Sequence, residues 1–86
     1  MPRYFLHVCN GLGFVQDHEG TEHPNLAAVR DAAIAGLRDI SASELKDGVI
    51  NLASFIEVED EHRQHVLTVS FTDAVAIATE VSCSPG

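Results

Sequence analysis

The chain has 86 residues, which is the size of one small domain. Thirteen acidic residues against five lysines and arginines give a formal net charge of −8 with the histidines neutral, and 45% of the residues are hydrophobic. These values argue against a multidomain enzyme, a membrane span and a disulfide-stapled toxin, and the apolar content is too high for a disordered acidic tail.

The first predicted hairpin begins with a strand from Arg3 to Cys9. Its side chains alternate with the two-residue period of a strand, and both faces carry large apolar groups. A strand with one solvent-exposed face would alternate apolar and polar residues. We therefore expect this strand to be central in the sheet, or its second face to be covered. Asn10-Gly11 predicts a tight turn, because a type I′ turn needs positive φ at both central residues. The return strand is expected from Leu12 to Gln16.

A polar loop and a long helix come next. Asp17–Pro24 is polar, contains a glycine and ends at a proline, so it is predicted to be a loop. Asn25 can then cap a helix by accepting a backbone N–H bond. The helix is the clearest element, because its apolar residues follow three- and four-residue steps and share one face. These residues are Leu26, Val29, Ala33, Leu37 and Ile40.

The end of the helix allows two interpretations. Ser41 and Glu44 have the spacing of a capping box, so the helix either kinks and restarts there or continues to Lys46. Asp47-Gly48 ends it in both cases, because glycine suits the left-handed residue that follows a helix.

A second hairpin is predicted in the last third of the chain. In the connection before it, Ile50 and Leu52 are expected to point inward. Ser54–Glu59 and Gln64–Phe71 are predicted to be its strands, because both runs alternate and the short polar turn Asp60–Arg63 joins them.

The order of these elements predicts the fold. Thr72 or Asp73 can cap a short last helix from Ala74 to about Glu80, and residues 82–86 look like a frayed tail. Two β-hairpins that form an antiparallel sheet, with one long amphipathic helix packed on it, make an α+β two-layer sandwich. We expect a single domain over residues 1–81.

The loop after the first hairpin holds the densest group of potential metal ligands. It offers two imidazoles and three carboxylates within seven residues, and a further histidine lies on the preceding strand. Nitrogen and oxygen ligands of this kind suit Zn²⁺, Ni²⁺ or Cu²⁺. The candidate ligands are His7, His18 and His23 with Asp17, Glu19 or Glu22. The spacing matches no established zinc motif, so a solvated turn is favoured, and a divalent metal is kept as the only candidate cofactor.

His7 also raises the question of catalysis. It shares a strand face with Cys9, so a Cys–His pair is geometrically conceivable. Since no third orienting residue is indicated, a hydrogen-bonded core histidine is favoured, no catalytic residue is assigned, and we expect a protein that is not an enzyme. The acidic run Glu57–His62 lacks the spacing of a calcium loop and is predicted to be a solvated hairpin tip.

The basic residues, the apolar runs and the cysteines limit the classes of partner and the cellular location that we expect. The five basic residues are scattered and the net charge is negative, so no nucleic-acid partner is expected. No apolar run approaches the roughly 18–20 residues of a membrane helix, and the N-terminus has the pattern of a strand rather than a secretion signal. We therefore expect no membrane partner and a cytoplasmic location, with Cys9 and Cys83 as reduced thiols.

Four stretches of the chain resemble a known family. They are Pro2–Val8, Asp17–Glu22, Ile56–Glu61 and Val66–Asp73. Together they resemble a family of short bacterial proteins of unknown function, whose members open P-R-Y-F-F-H-V; the resemblance carries no activity. A charged residue is more usual in that family at the position of Cys9. The layout of strands and helix is also similar to that of HicB-like antitoxins, at the level of the fold alone.

The predicted function rests on the two apolar faces of the first strand. A core of this size is thin, and a second molecule could cover the second face of the strand. The sequence therefore predicts a non-enzymatic interaction or regulatory module, acting as a homodimer or on another protein, with Phe5, His7 and Cys9 in the interface. The alternative is a divalent-metal-binding protein that uses the acidic loop around His18 and His23.

Overall fold

The computed structural model describes residues 1–11 and 13–80, and in this part of the chain the order of elements is ββ–β–α–ββ–α. The elements are β1 (Arg3–Asn10), β2 (Gly13–Val15), β3 (Thr21–Glu22), α1 (Leu26–Lys46), β4 (Phe55–Glu59), β5 (His65–Ser70) and α2 (Phe71–Ala74). The strands form one antiparallel sheet in the order β2-β1-β4-β5, and β3 pairs with the start of β1. The predicted α+β fold is confirmed.

The core lies between α1 and one face of the sheet. Val29, Ala33 and Leu37 are fully buried and follow one another at four-residue steps along the helix. Opposite them, Ile56 and Val58 of β4 are buried on the same face of the sheet, because alternate residues of a strand point the same way. This layer is what the periodicity of the helix predicts, except that Leu26 is exposed at the first turn.

The helix α1 is continuous from end to end. Asn25 caps it, since its side-chain oxygen accepts the N–H of Ala28 at 2.9 Å. No break occurs at Ser41, so of the two interpretations the continuous helix is correct. Gly48 follows the helix with φ +84°, as expected of the residue that ends it.

The first turn lies one residue later than predicted. Asn10 pairs with Gly13, so Asn10 belongs to the strand and the turn begins at Gly11 rather than at Asn10. The positive φ of +122° falls on Gly13, where only glycine avoids a steric conflict. The strand β3 was not predicted. Thr21 and Glu22 pair with β1, whereas the sequence predicts a loop over Asp17–Pro24.

The prediction of the last helix was wrong in its bounds. α2 covers Phe71–Ala74, and residues 75–80 have no regular structure. Ser70 precedes the helix and donates its N–H to the carboxylate of Asp73 at 2.9 Å, which starts the helix three residues early. Val75 is extended, and this conformation ends the helix after one turn.

Some expectations concern residues outside the described part. These are the domain boundary at residue 81, the tail over 82–86 and the state of Cys83. Cys9 is described and is a free, half-buried thiol. Neither described helix has the length and apolarity to cross a membrane.

Candidate functional site

The face of β1 that points away from α1 is covered by the chain itself. Residues 16–22, here named the covering segment, follow β2, end with β3 and run along this strand. Phe5 is 7% exposed and His7 is 4% exposed beneath it. Gly20 passes so close that a Cβ there would lie 2.7 Å from the carbonyl oxygen of Tyr4 and 3.0 Å from the ring of Phe5. The second apolar face is thus buried without a second layer of helix.

Between β2 and β3, the Asp17 side chain supplies a hydrogen-bond acceptor to β1. Its Oδ2 accepts the backbone N–H of Leu6 at 3.1 Å, which pairs the middle of β1. Its Oδ1 accepts the N–H groups of Glu19 at 3.2 Å and Gly20 at 3.0 Å, which closes the covering segment into a tight turn. Burial alone would raise the pKa of Asp17, but these three backbone hydrogen bonds outweigh it and lower the pKa below the ordinary 3.8.

His7 is held by hydrogen bonds at both ring nitrogens. Its Nδ1 accepts the backbone N–H of Asp17 at 3.0 Å. Because Nδ1 is an acceptor, the proton of the neutral ring lies on Nε2, which donates to the Glu59 carboxylate at 2.7 Å. His7 therefore links the covering segment to β4.

Arg63 completes the cover over Phe5. Its guanidinium lies 3.8 Å from the centre of the Phe5 ring, and its Nη1 lies 3.9 Å from the Glu59 carboxylate. Arg63 has φ 63°, an uncommon conformation for a residue other than glycine, in the turn that Asp60 closes by accepting the N–H of His62 and Gln64. Asp60 thus belongs to a hydrogen-bonded hairpin tip.

Arg3 anchors the far end of the covering segment. Its Nη1 donates to the carbonyl oxygens of Glu19 at 2.8 Å and Gly20 at 3.3 Å, and its Nη2 lies 3.5 Å from the Glu22 carboxylate. Neither Arg3 nor Arg63 was predicted to belong to a site, and Glu59 was placed only in the solvated acidic run Glu57–His62. No local pattern marks them, because Arg3 and Arg63 each contact residues far away in the sequence.

The predicted metal ligands are not brought together as a group, and metal binding by the chain stays a prediction. In residues 1–11 and 13–80 no three His, Cys, Asp or Glu side chains make a group that could hold a metal ion. The reason is that four of the six candidates already have protein partners: Asp17 and His7 as described above, Glu22 with Arg3, and His23 with the Thr21 hydroxyl at 2.8 Å. His18 is exposed, away from the buried ring of His7.

The predicted subunit interface falls mainly on covered residues. Phe5 and His7 lie under the covering segment, and only Cys9 of the three is half-buried. An interface through them requires the covering segment to move away, and it stays a prediction. Both ring nitrogens of His7 are engaged, so neither is free to accept a proton from the Cys9 thiol in this arrangement.

A cleft at one end of the sheet was missed by the sequence analysis. It has a volume of about 260 Å³ and is lined by Gly11, Glu44, Asp47 and Val49. The Oε1 atom of Glu44 is buried and has no hydrogen-bond partner in the described structure, and the same holds for the hydroxyl of Ser41 one helical turn earlier. Only the fold brings the turn after β1 to the last turn of α1, so no sequence signal could have identified this cleft.

Four apolar side chains beside this cleft are exposed. Leu45, Val49, Ile50 and Leu52, here named the end surface, have exposed fractions between 39% and 63%. The expectation that Ile50 and Leu52 point inward was therefore wrong. The buried core consists of residues such as Leu37 and Ile56, and neither Ile50 nor Leu52 belongs to it.

Comparison with known proteins identifies a family without an activity. The family described as "Domain of unknown function (DUF6894)" matches residues 3–72. No curated protein and no solved structure matches the chain. The expected membership of a family of unknown function is confirmed, whereas the resemblance of the individual motifs and the similarity to HicB-like antitoxins stay predictions.

Proposed function

The chain belongs to the DUF6894 family of domains of unknown function, and from its own geometry we propose that it is a non-enzymatic interaction module that acts as a homodimer through the end surface. The observation that carries this proposal is the exposure of four large apolar side chains within eight residues. Exposed apolar patches on small domains mark contact surfaces, because each buried side chain of this size contributes about 1.5–3 kcal/mol.

The charge of this region supports a second copy as the partner. Residues 45–53 contain one lysine and one aspartate, so their formal charge is zero, whereas the whole chain carries −8. Two copies with the same negative charge repel each other least where neither presents net charge. A symmetric contact through the end surface therefore avoids most of the repulsion between the acidic faces.

The edge of the sheet at β5 is a less suitable contact. Natural edge strands are protected against pairing by irregularities and by charged side chains. The pairing of β5 with β4 shifts register between Val58 and Glu59, and Asp73 occupies the outward N–H of Ser70. Both features limit the length of β5 that is open to another strand.

The proposal is tested by the mass of the protein in solution. Size exclusion with light scattering at micromolar concentration is expected to give twice the mass of the chain. Leu52→Ser is expected to weaken the dimer by roughly tenfold or more, because it removes apolar area from both halves of a symmetric contact. Higher salt is expected to strengthen the dimer, since it screens the repulsion between the acidic copies.

Ile77→Ser is the matched control. Ile77 is as exposed as the residues of the end surface, with 58% of its area accessible, but it lies outside that surface. We expect this variant to keep the mass of the wild type. A monomer for the wild-type protein, or equal weakening by both substitutions, would overturn the proposal.

A further inference from the structure

The cleft beside the end surface contains a carboxylate without a partner for one of its oxygens. Glu44 lines the cleft from the last turns of α1, and its Oε1 is buried with no donor among the described residues. A buried carboxylate oxygen without a hydrogen bond is unfavourable, because it has lost water and gained no donor. The other oxygen, Oε2, lies toward Gly11 at the wall of the cleft, 3.5 Å from where a Cβ on Gly11 would stand. A two-fold rotation about the terminal bond exchanges the two oxygens, so one of them always faces this wall.

No basic side chain of the described structure meets this need. The ion pairs that involve Arg3, His7, His62 and Arg63 go to Glu22, Glu59 and Glu61, not to Glu44 or Asp47. Lys46 lies two residues from Glu44, and residues at that spacing do not face each other on a helix.

The other walls of the cleft limit the kind of cation. Among the described residues, Glu44 and Asp47 are the only acidic ones in its lining, and no group of three could hold a metal ion. Val49 supplies apolar surface, and Gly11 has no side chain to fill the space. The volume of about 260 Å³ corresponds to roughly nine water-sized groups at about 30 Å³ each. An organic cation with a short apolar stem fits these walls better than a metal ion.

We propose that this cleft binds a primary ammonium group on an apolar stem, with Glu44 as the acceptor and Val49 against the stem. Asp47 at the rim adds a second negative charge, which draws a cation to the opening. Charge-assisted hydrogen bonds of this type are about twice as strong as neutral ones, so the charge decides which ligand binds. The proposal does not depend on the homodimer, because the described lining residues all belong to one chain.

The test uses two probes of equal length, n-hexylamine, which is protonated at neutral pH, and 1-hexanol. Each is titrated into ¹⁵N-labelled protein while the amide signals of Gly11, Glu44 and Val49 are followed. Hexylammonium is expected to bind about tenfold more tightly than hexanol. Since Val49 also belongs to the end surface, both titrations are repeated on the Leu52→Ser variant, in which the proposed dimer is weakened.

Glu44→Gln is the decisive variant, because it keeps the shape of the side chain and removes its charge. It is expected to reduce the preference for hexylammonium over hexanol to less than about twofold. Asp31→Asn removes the same formal charge of −1 from an exposed position of the same helix. It is expected to leave the preference for hexylammonium unchanged. Gly11→Ala is a second, independent variant, because its Cβ would lie 3.3 Å from Asn51 and 3.5 Å from the Glu44 carboxylate. It is expected to weaken the binding of both probes.

A further pair of probes identifies the source of the ammonium group. Acetyl-Leu-Lys-Leu amide is compared with the same peptide carrying norleucine in place of lysine. Preference for the lysine peptide assigns the cleft to a lysine side chain of a protein, and preference for hexylammonium alone assigns it to a free amine. Equal binding of amine and alcohol, or an undiminished preference in Glu44→Gln, overturns the proposal. Neither result depends on the mass measured for the wild-type protein.

Discussion

The two faces of the sheet at β1 are both buried, but by different kinds of contact. On one face, α1 places Leu37 and its neighbours against Ile56 and Val58, and the contacts are apolar. On the other face, the covering segment is held over β1 mainly by hydrogen bonds. The Asp17 carboxylate accepts them from Leu6 and Gly20, and the Asp17 N–H donates one to His7. Apolar burial is non-directional and proportional to area, whereas hydrogen bonds require particular atoms at particular distances.

This difference determines how each face responds to change. A substitution under α1 costs free energy in proportion to the volume that is lost. A substitution in the covering segment acts through single atoms, so a small change of backbone freedom or of charge is enough to release it. The covering segment is also sensitive to acid, because its central acceptor is a carboxylate.

The largest expected effect is on the helix-covered face. Leu37→Ala removes a fully buried side chain between α1 and the sheet, and it is expected to lower the free energy of unfolding by about 3 kcal/mol. Urea denaturation followed by circular dichroism measures the change. Leu26→Ala is the control, since Leu26 is 48% exposed at the start of the same helix, and less than about 1 kcal/mol is expected. Equal losses would show that the core is not where the structure places it.

A smaller effect is expected from Gly20→Ala on the opposite face. Gly20 has φ +71°, and an added Cβ would meet the carbonyl oxygen of Tyr4 at 2.7 Å, so the covering segment must shift. We expect a loss of about 2 kcal/mol of unfolding free energy and faster hydrogen exchange at the amide of Leu6, which loses its acceptor.

Gly36→Ala is the matched control for this prediction. A Cβ at Gly36 would lie 3.8 Å from Ile56, which is an ordinary contact, and the residue is within α1. The substitution is expected to stabilise the protein by about 0.5–1 kcal/mol, because alanine favours a helix more than glycine does. If both glycines tolerate alanine equally, the tight cover over β1 is refuted.

The smallest effect is expected from Asp17→Asn, and it depends on pH. The folded pKa of Asp17 lies below 3.8, so the ionised carboxylate stabilises the folded state at neutral pH, and this contribution is lost as the pH falls through the folded pKa. The variant is expected to be less stable than the wild type by about 1 kcal/mol at pH 7, since one acceptor oxygen is replaced by an amide group.

The pH profile of unfolding tests this assignment. The difference between wild type and Asp17→Asn should be constant from pH 7 to about pH 5 and should shrink below 3.8. Asp31→Asn, at an exposed position of α1, is expected to change the free energy by less than about 0.5 kcal/mol. A difference that stays constant down to pH 3 would mean that Asp17 does not carry the acid sensitivity of the covering segment.

The sequence predictions that rest on residues close together in the chain were more successful than those that depend on tertiary packing. The four-residue spacing of Val29, Ala33 and Leu37 is a local pattern, and it placed the buried face of α1 correctly. The inward position of Ile50 and Leu52 was predicted from their apolar character alone and was wrong, because hydrophobicity does not say whether the core has room.

The candidate site was less predictable than the fold. The histidines and carboxylates around Asp17 suggested metal ligands, but Asp17 accepts a hydrogen bond from the Leu6 N–H and Glu22 accepts one from Arg3. These partners are 11 to 19 residues apart in the chain. A count of ligand types cannot detect such partners, because it does not register which donors the fold brings near.

The sequence by itself determined the α+β class, the buried face of the long helix and the uneven distribution of charge, because each of these depends on neighbours within a few residues. Only the tertiary structure decided what covers Phe5 and His7, and that Gly11 and Glu44 border one cleft. Both arrangements depend on atoms that are distant in the chain and meet after the sheet and the helix have packed, so their geometry is a property of the fold.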